Sequence, residues 1–217
     1  MIYELRLYET VPGRLPALND RFAKHTVGFF KKYGVRMLGF WTDDIGSTNL
    51  LSYIVSFESS SERESTWKAF RADPDWLEVR AETEKDGPLL ARVRNTIMRL
   101  TSYSPEPVIN SNVQELRDYQ SMPGKLDALN ARFANHTIPL FEKHGIENIG
   151  YWTDDVGTSE QLIYMLGYPS LGDREKSWAS FQADPEWQRV RAETEKDGVL
   201  TAKAVNTIIR LTPYSPR

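Results

Sequence analysis

Val79-Arg80-Ala81-Glu82-Thr83-Glu84-Lys85-Asp86-Gly87 returns letter for letter as Val190 to Gly198, 111 positions on. The same offset joins Glu4-Leu5-Arg6 to Glu115-Leu116-Arg117, Pro12-Gly13 to Pro123-Gly124, Arg21-Phe22-Ala23 to Arg132-Phe133-Ala134, His25-Thr26 to His136-Thr137, and Trp41-Thr42-Asp43-Asp44 to Trp152-Thr153-Asp154-Asp155. A register kept without a gap over the length of the chain is a duplicated domain, and each copy is long enough to own a core.

Within one copy, Tyr3, Leu5 and Leu7 alternate with Glu4, Arg6 and Tyr8, which is strand spacing. Val11-Pro12-Gly13 breaks it. Leu15, Leu18, Phe22, Phe29 and Phe30 then recur at helical spacing up to Gly34, a C-cap residue. Residues 35–42 read as a second strand, Asp43-Asp44-Ile45-Gly46-Ser47 as a turn, and residues 50–57 as a third strand. Ser61 with Glu64 has the form of a capping box on a helix that stops before Pro74. Asp73-Pro74 starts the next helix, and residues 93–100 form a fourth strand. The order βαββαβ is a ferredoxin-like unit. The predicted division is 1–101 for the first domain, 102–112 for a linker and 113–217 for the second.

A four-stranded sheet with helices on one face leaves the other face bare, and a covalently attached second copy supplies a cover. The expected fold class is therefore α+β: two ferredoxin-like repeats packed sheet to sheet as a pseudo-symmetric dimeric α+β barrel. In this reading Glu4, Arg6, Tyr8, Tyr53 or its neighbours, and Arg99 belong to the bare, inward face, with room for a pocket between the sheets.

Composition excludes several classes. A net charge of −3 with both signs interspersed and no basic stripe argues against nucleic acid as a partner. No apolar run is long enough for a membrane span. The absence of cysteine removes disulfides, thiolate nucleophiles and Cys-ligated metals. There is no Gly-rich phosphate loop, no zinc-type His/Glu motif and no Gly-x-Ser-x-Gly elbow. The expectation is a protein without cofactor or metal, with a small-molecule ligand as partner, an intramolecular pseudo-dimer that leaves a higher homo-oligomer open.

Tyr3-Glu4-Leu5-Arg6-Leu7-Tyr8, Pro12-Gly13, Phe22, His25, Gly39-Phe40-Trp41, Trp67 and Asp73-Pro74 with Trp76 together resemble the NIPSNAP family. The resemblance runs through nearly the whole of each copy. It implies the dimeric α+β barrel superfamily, in which single-domain subunits pair; this chain looks like two such subunits fused. Animal members are linked to mitochondria and to signalling for autophagy, but the strand pattern here begins at Ile2 without a targeting extension, so a cytoplasmic protein is expected. The superfamily includes cofactor-free monooxygenases, haem-dependent enzymes and isomerases, so fold alone does not choose an activity.

His25 and His136, at equivalent helix positions, are the candidate proton acceptors, because histidine titrates near neutral pH and both share a face with Phe22/Phe29 or their counterparts. The plain alternative is an imidazole bonded to backbone. Arg6, Arg99, Arg117 and Arg210 are candidates to hold a carboxylate bidentately; the alternative is a structural ion pair with Glu4 or Glu115. Tyr8, Tyr53, Trp41 and their counterparts Tyr119, Tyr164 and Trp152 are candidates to line an aromatic pocket, or are simply core. Two readings follow: a small-molecule enzyme of the oxygenase or isomerase kind, or a non-enzymatic platform acting through protein contacts.

Overall fold

The computed structural model describes residues 1–216, and contacts divide it into two units, Met1–Arg99 with the segment from Leu211, and Leu100–Arg210. In unit 1 the elements are β1 (Ile2–Thr10), α1 (Leu15–Arg21), a π-turn (Phe22–Thr26), α2 (Val27–Lys32), β2 (Arg36–Ile45), β3 (Leu50–Phe57), α3 (Ser60–Ala72), α4 (Pro74–Thr83) and β4 (Leu90–Leu100). Unit 2 repeats them as β5 (Val113–Ser121), α5 (Leu126–Arg132), a π-turn (Phe133–Thr137), α6 (Ile138–Lys143), β6 (Glu147–Val156), β7 (Gln161–Tyr168), α7 (Leu171–Ala183), α8 (Pro185–Thr194) and β8 (Thr201–Leu211). Pairing is antiparallel, in the order β2-β3-β1-β4 within unit 1, and β5 lies between β7 and β8 in unit 2. Among the described residues no helix is long and apolar enough to cross a membrane.

Local chemistry sets the helix ends. Ser59 caps α3 by accepting the Glu62 N–H at 3.1 Å, and the Glu62 carboxylate reaches back to the Glu58 N–H. The capping pair is thus two residues before the predicted Ser61/Glu64. Asp73 accepts the Asp75 N–H at 2.9 Å with Pro74 in the first turn of α4, as its sequence indicates. Gly34, at φ +68°, ends α2, and the Val35 N–H reaches back to Phe30 O at 2.9 Å. Asp43 and Asp44 lie in β2, which runs on to Ile45; Asp43 still caps the turn by accepting the Ser47 N–H at 2.6 Å.

The expected facing of β1 is reversed. Arg6 pairs with Tyr53 on β3 and with Asn95 on β4, and this face meets the helices: Glu4 accepts from Arg63 and Trp67 of α3, and the Tyr8 ring lies 6.0 Å from Phe22. Tyr3, Leu5, Ile54 and Met98 occupy the other face and are buried. Alternation states which residues share a face but not which face the helices cover. The polar character of Glu4, Arg6 and Tyr8 misleads here because the helices bring guanidinium and indole donors to meet them. Trp41, paired with Ser52, and Trp152, paired with Ile163, point away from the helices; their neighbours Phe40 and Tyr151 face them.

The core of unit 1 is aromatic: Phe22, Phe30, Phe40, Tyr53, Phe57, Trp67, Phe70 and Trp76 form one cluster. Phe22 alone meets Phe30, Phe40 and Tyr53 at 6.2, 5.6 and 5.5 Å. Each such burial contributes ~1.5–3 kcal/mol.

The segment from Leu211 packs on unit 1. Tyr214 donates to Asn19 Oδ1 at 2.6 Å, its ring lies 5.6 Å from Phe40, and Ser215 Oγ accepts the Phe40 N–H at 3.0 Å. Tyr103-Ser104 does the same in unit 2: Tyr103 donates to Asn130 at 2.6 Å, and Ser104 Oγ accepts the Tyr151 N–H at 3.0 Å. The Tyr-Ser-Pro segment that follows each copy's last strand therefore completes the other unit, an exchange that a division of the sequence at 102–112 does not anticipate.

Candidate functional site

The π-turn positions the site. Val27 N–H bonds to Phe22 O, five residues back, and Thr26 Oγ1 donates to Arg21 O at 3.3 Å. The wide turn keeps Phe22, Thr26 and Phe30 in one buried row, whereas α spacing would have put His25 between Phe22 and Phe29. Unit 2 repeats the turn with Thr137 Oγ1 on Arg132 O at 3.3 Å.

Between these helices and the sheet of unit 1 lies a cavity of about 250 Å³. A dry cavity of roughly 150 Å³ holds one benzene ring, so this one has room for a ring with a polar substituent. Its walls are Phe22, Phe30, Tyr53, Trp67, Phe70 and Trp76. Four guanidinium groups also line it, Arg6, Arg21, Arg71 and Arg80, against the single carboxylate of Glu84. Arg71 and Arg80 are exposed, while Arg21 is 4% exposed.

Glu4 anchors Arg6 from behind. The carboxylate is fully buried and accepts from Arg6 Nη1 at 2.6 Å, Arg63 Nε and Nη2 both at 2.7 Å, Trp67 Nε1 at 2.8 Å and Asn95 Nδ2 at 3.0 Å. Burial pushes its pKa up, but Arg63, Arg6 and the Trp67 N–H outweigh that and hold it below its ordinary value, so it stays ionised. Arg6 donates a second bond to Tyr8 Oη at 3.0 Å and lies 4.9 Å from the Trp67 ring. Burial opposes its charge; Tyr53, Tyr8 and Glu4 more than offset this. The ion pair and the cavity-lining role, set as alternatives by the sequence, coexist in one side chain.

Arg21 pairs with Glu84 at 2.8 Å and lies over the Trp76 ring at 5.6 Å. Burial raises Glu84, but Arg21 and then Arg80 pull it down overall. Arg6 Nε and Arg21 Nε are both buried donors with no acceptor. Both arginines line the same aromatic cavity, and a buried donor without an acceptor is unusual in a folded protein.

Of the predicted residues, Arg6, Tyr8 and Tyr53 line this cavity. Their counterparts Arg117, Tyr119 and Tyr164 are bonded to one another in unit 2. Trp41 and Trp152 are buried on the opposite sheet face. Arg99 and Arg210 are exposed, and Arg99 is not part of the lining. His25 and His136 are half-buried in the π-turns, and the unit 1 cavity is lined by the neighbours Phe22 and Thr26 rather than by His25. Sequence reasoning missed Arg21 and Arg71. Arg21 carried a signal: with Leu18 three residues before it and Phe22 beside it, it is a repeated arginine on an apolar helix face.

His144 bridges Ser180 Oγ at 2.8 Å and Asp184 Oδ2 at 2.7 Å. It takes the place of Tyr33, which donates to Asp73 at 2.6 Å, and so ties α6 to the cap of α8.

Comparison with known proteins gives a NIPSNAP family match over residues 3–105 and again over 114–216. The Protein NipSnap homolog of Dictyostelium discoideum is 25% identical over 202 residues, covering 89% of this chain and 81% of that protein. A solved structure described as a putative monooxygenase from Lactobacillus acidophilus matches 96% of this chain and 92% of its own with a TM-score of 0.62 at 10% identity. Another so described, from Fusobacterium nucleatum, matches 97% and 91% with a TM-score of 0.59 at 12% identity. Such likeness shows the fold alone: α+β, two ferredoxin-like repeats, in the dimeric α+β barrel class of eight antiparallel strands.

Proposed function

This chain belongs to the NIPSNAP family, and from that premise we propose that it binds a small aromatic carboxylate in the cavity of unit 1. The observation that carries the reading is that Arg6 and Arg21, each with a buried Nε that has no acceptor, line one aromatic enclosure. The rings supply the apolar contact, the guanidinium groups select the anion, and the exposed Arg71 and Arg80 at the rim favour its approach. Tyr53 has its pKa pushed far up, by burial first and then by Tyr8, so it stays a neutral phenol whose unpartnered hydroxyl is available to donate a hydrogen bond. Glu84, held low, is a weak base. The lining therefore favours capture and orientation of the ligand over general-base chemistry. An oxygenase or isomerase role would use the bound molecule's own reactivity, with Tyr53 stabilising negative charge.

The test is a tryptophan-fluorescence titration with indole-3-acetate and benzoate beside indole-3-acetamide and benzamide, since Trp67 and Trp76 line the cavity. The carboxylates are expected to bind and the neutral amides to bind at least tenfold more weakly, with Arg21→Met removing the difference. Equal affinity for acid and amide would overturn the reading.

A further inference from the structure

The two units keep the same cavity residues at most positions but arrange them differently. In unit 2 every nitrogen of the Arg117 guanidinium has an acceptor: Nε donates to Tyr164 Oη at 2.7 Å, Nη2 to Tyr119 Oη at 2.6 Å and Nη1 to Glu115 at 2.5 Å. Its side chain is 4% exposed, against 16% for Arg6, whose Nε has no acceptor.

The difference tracks one substitution beneath an indole. In unit 1 Trp67 rests on Phe57, centroids 5.7 Å apart, and donates its Nε1–H to Glu4. The counterpart of Phe57 is Tyr168, fully buried, whose added hydroxyl makes no hydrogen bond but lies within electrostatic reach of Glu115, the counterpart of the carboxylate that Trp67 serves. Trp178 is instead half-buried, with its ring 4.3 Å from the Arg117 guanidinium carbon, compared with 4.9 Å for Trp67 and Arg6. A second change acts in the same direction: the rim cation Arg71 becomes Gln182.

We propose that the anion site is built in unit 1 and shut in unit 2, and that Phe57 against Tyr168, through the setting of Trp67 and Trp178, decides which unit is open. Duplication has thus yielded one receptor unit and one whose equivalent arginine is spent on internal hydrogen bonds. The proposal rests on the anion-binding reading of unit 1.

Two measurements test it. Calorimetric titration of the full chain with indole-3-acetate is expected to give one equivalent bound, Tyr168→Phe to give two, and Phe57→Tyr to weaken binding at least tenfold. Two equivalents for the unaltered chain overturn the asymmetry, one for Tyr168→Phe overturns the assignment of the switch, and either leaves the anion site standing; no binding to any variant overturns the anion site itself. The second measurement needs no ligand. In a 1H–15N spectrum, the Trp178 indole N–H of Tyr168→Phe is expected to move to a hydrogen-bonded position like that of Trp67. If it stays where it is, the assignment of the switch to this residue pair is refuted.

Discussion

Replacing Glu4 by alanine removes the acceptor that organises the floor of the cavity. The carboxylate is fully buried and takes five hydrogen bonds, from Arg6, Arg63, Trp67 and Asn95. Its loss leaves the Arg6 charge, 16% exposed, without a counter-ion and the Trp67 N–H without an acceptor. Breaking a buried pair from one side costs about 3–5 kcal/mol. For a chain of this size, 1 kcal/mol moves the melting temperature by roughly 2–4 °C, so Glu4→Ala should melt ~6–20 °C lower. Glu4→Ala with Arg6→Met removes the orphaned charge as well, and should recover part of the loss. Urea denaturation followed by tryptophan fluorescence measures both variants. A loss below about 1 kcal/mol, the range of an exposed ion pair, would refute the claim that Glu4 works as a buried anchor.

Further outcomes follow from the same geometry. Glu4 has a folded pKa below its ordinary 4.5, Asp73 is drawn down to about 2 by Lys32 and Tyr33, and Asp184 is lowered by Lys143 and His144. Groups with depressed folded values lend stability above their unfolded values and lose it as pH falls; unfolding measured against pH should show stability flat above about pH 4.5 and falling below it toward pH 2, with Asp73→Asn and Asp184→Asn reducing the slope at its acid end. Tyr214→Ala should lower hydrogen-exchange protection in residues 1–99, where Asn19, Phe22 and Phe40 hold the ring, while residues 113–210 stay protected; the reverse pattern would deny the exchange of the terminal segments.

Much of the architecture was legible in the sequence because duplication and alternation are periodic signals. The repeat offset, the βαββαβ order, the Asp73-Pro74 start of α4 and the Gly34 stop all depend on residues near one another in the chain. The facing of β1 was not legible, since Glu4 looks like a solvent residue until Arg63 and Trp67 arrive from 59 and 63 positions away. The place of His25 was hidden by a π-turn that α periodicity does not anticipate. Arg6, Tyr8 and Tyr53 were identified as ligand candidates for their chemistry and do line one cavity, on the helix side of the sheet rather than between two sheets. Arg21 was hidden for the reason that makes it useful: a charge on a buried helix face is explained only by its distant partner Glu84.

The most direct test of the central claim is a crystal structure of the full chain soaked with indole-3-acetate. The account predicts the indole ring among Phe22, Phe30, Trp67 and Trp76, with carboxylate oxygens within hydrogen-bonding distance of Arg6 Nε and Arg21 Nε in unit 1. A ligand bound outside this cavity, or lying within it with its carboxylate turned away from both arginines, would contradict it.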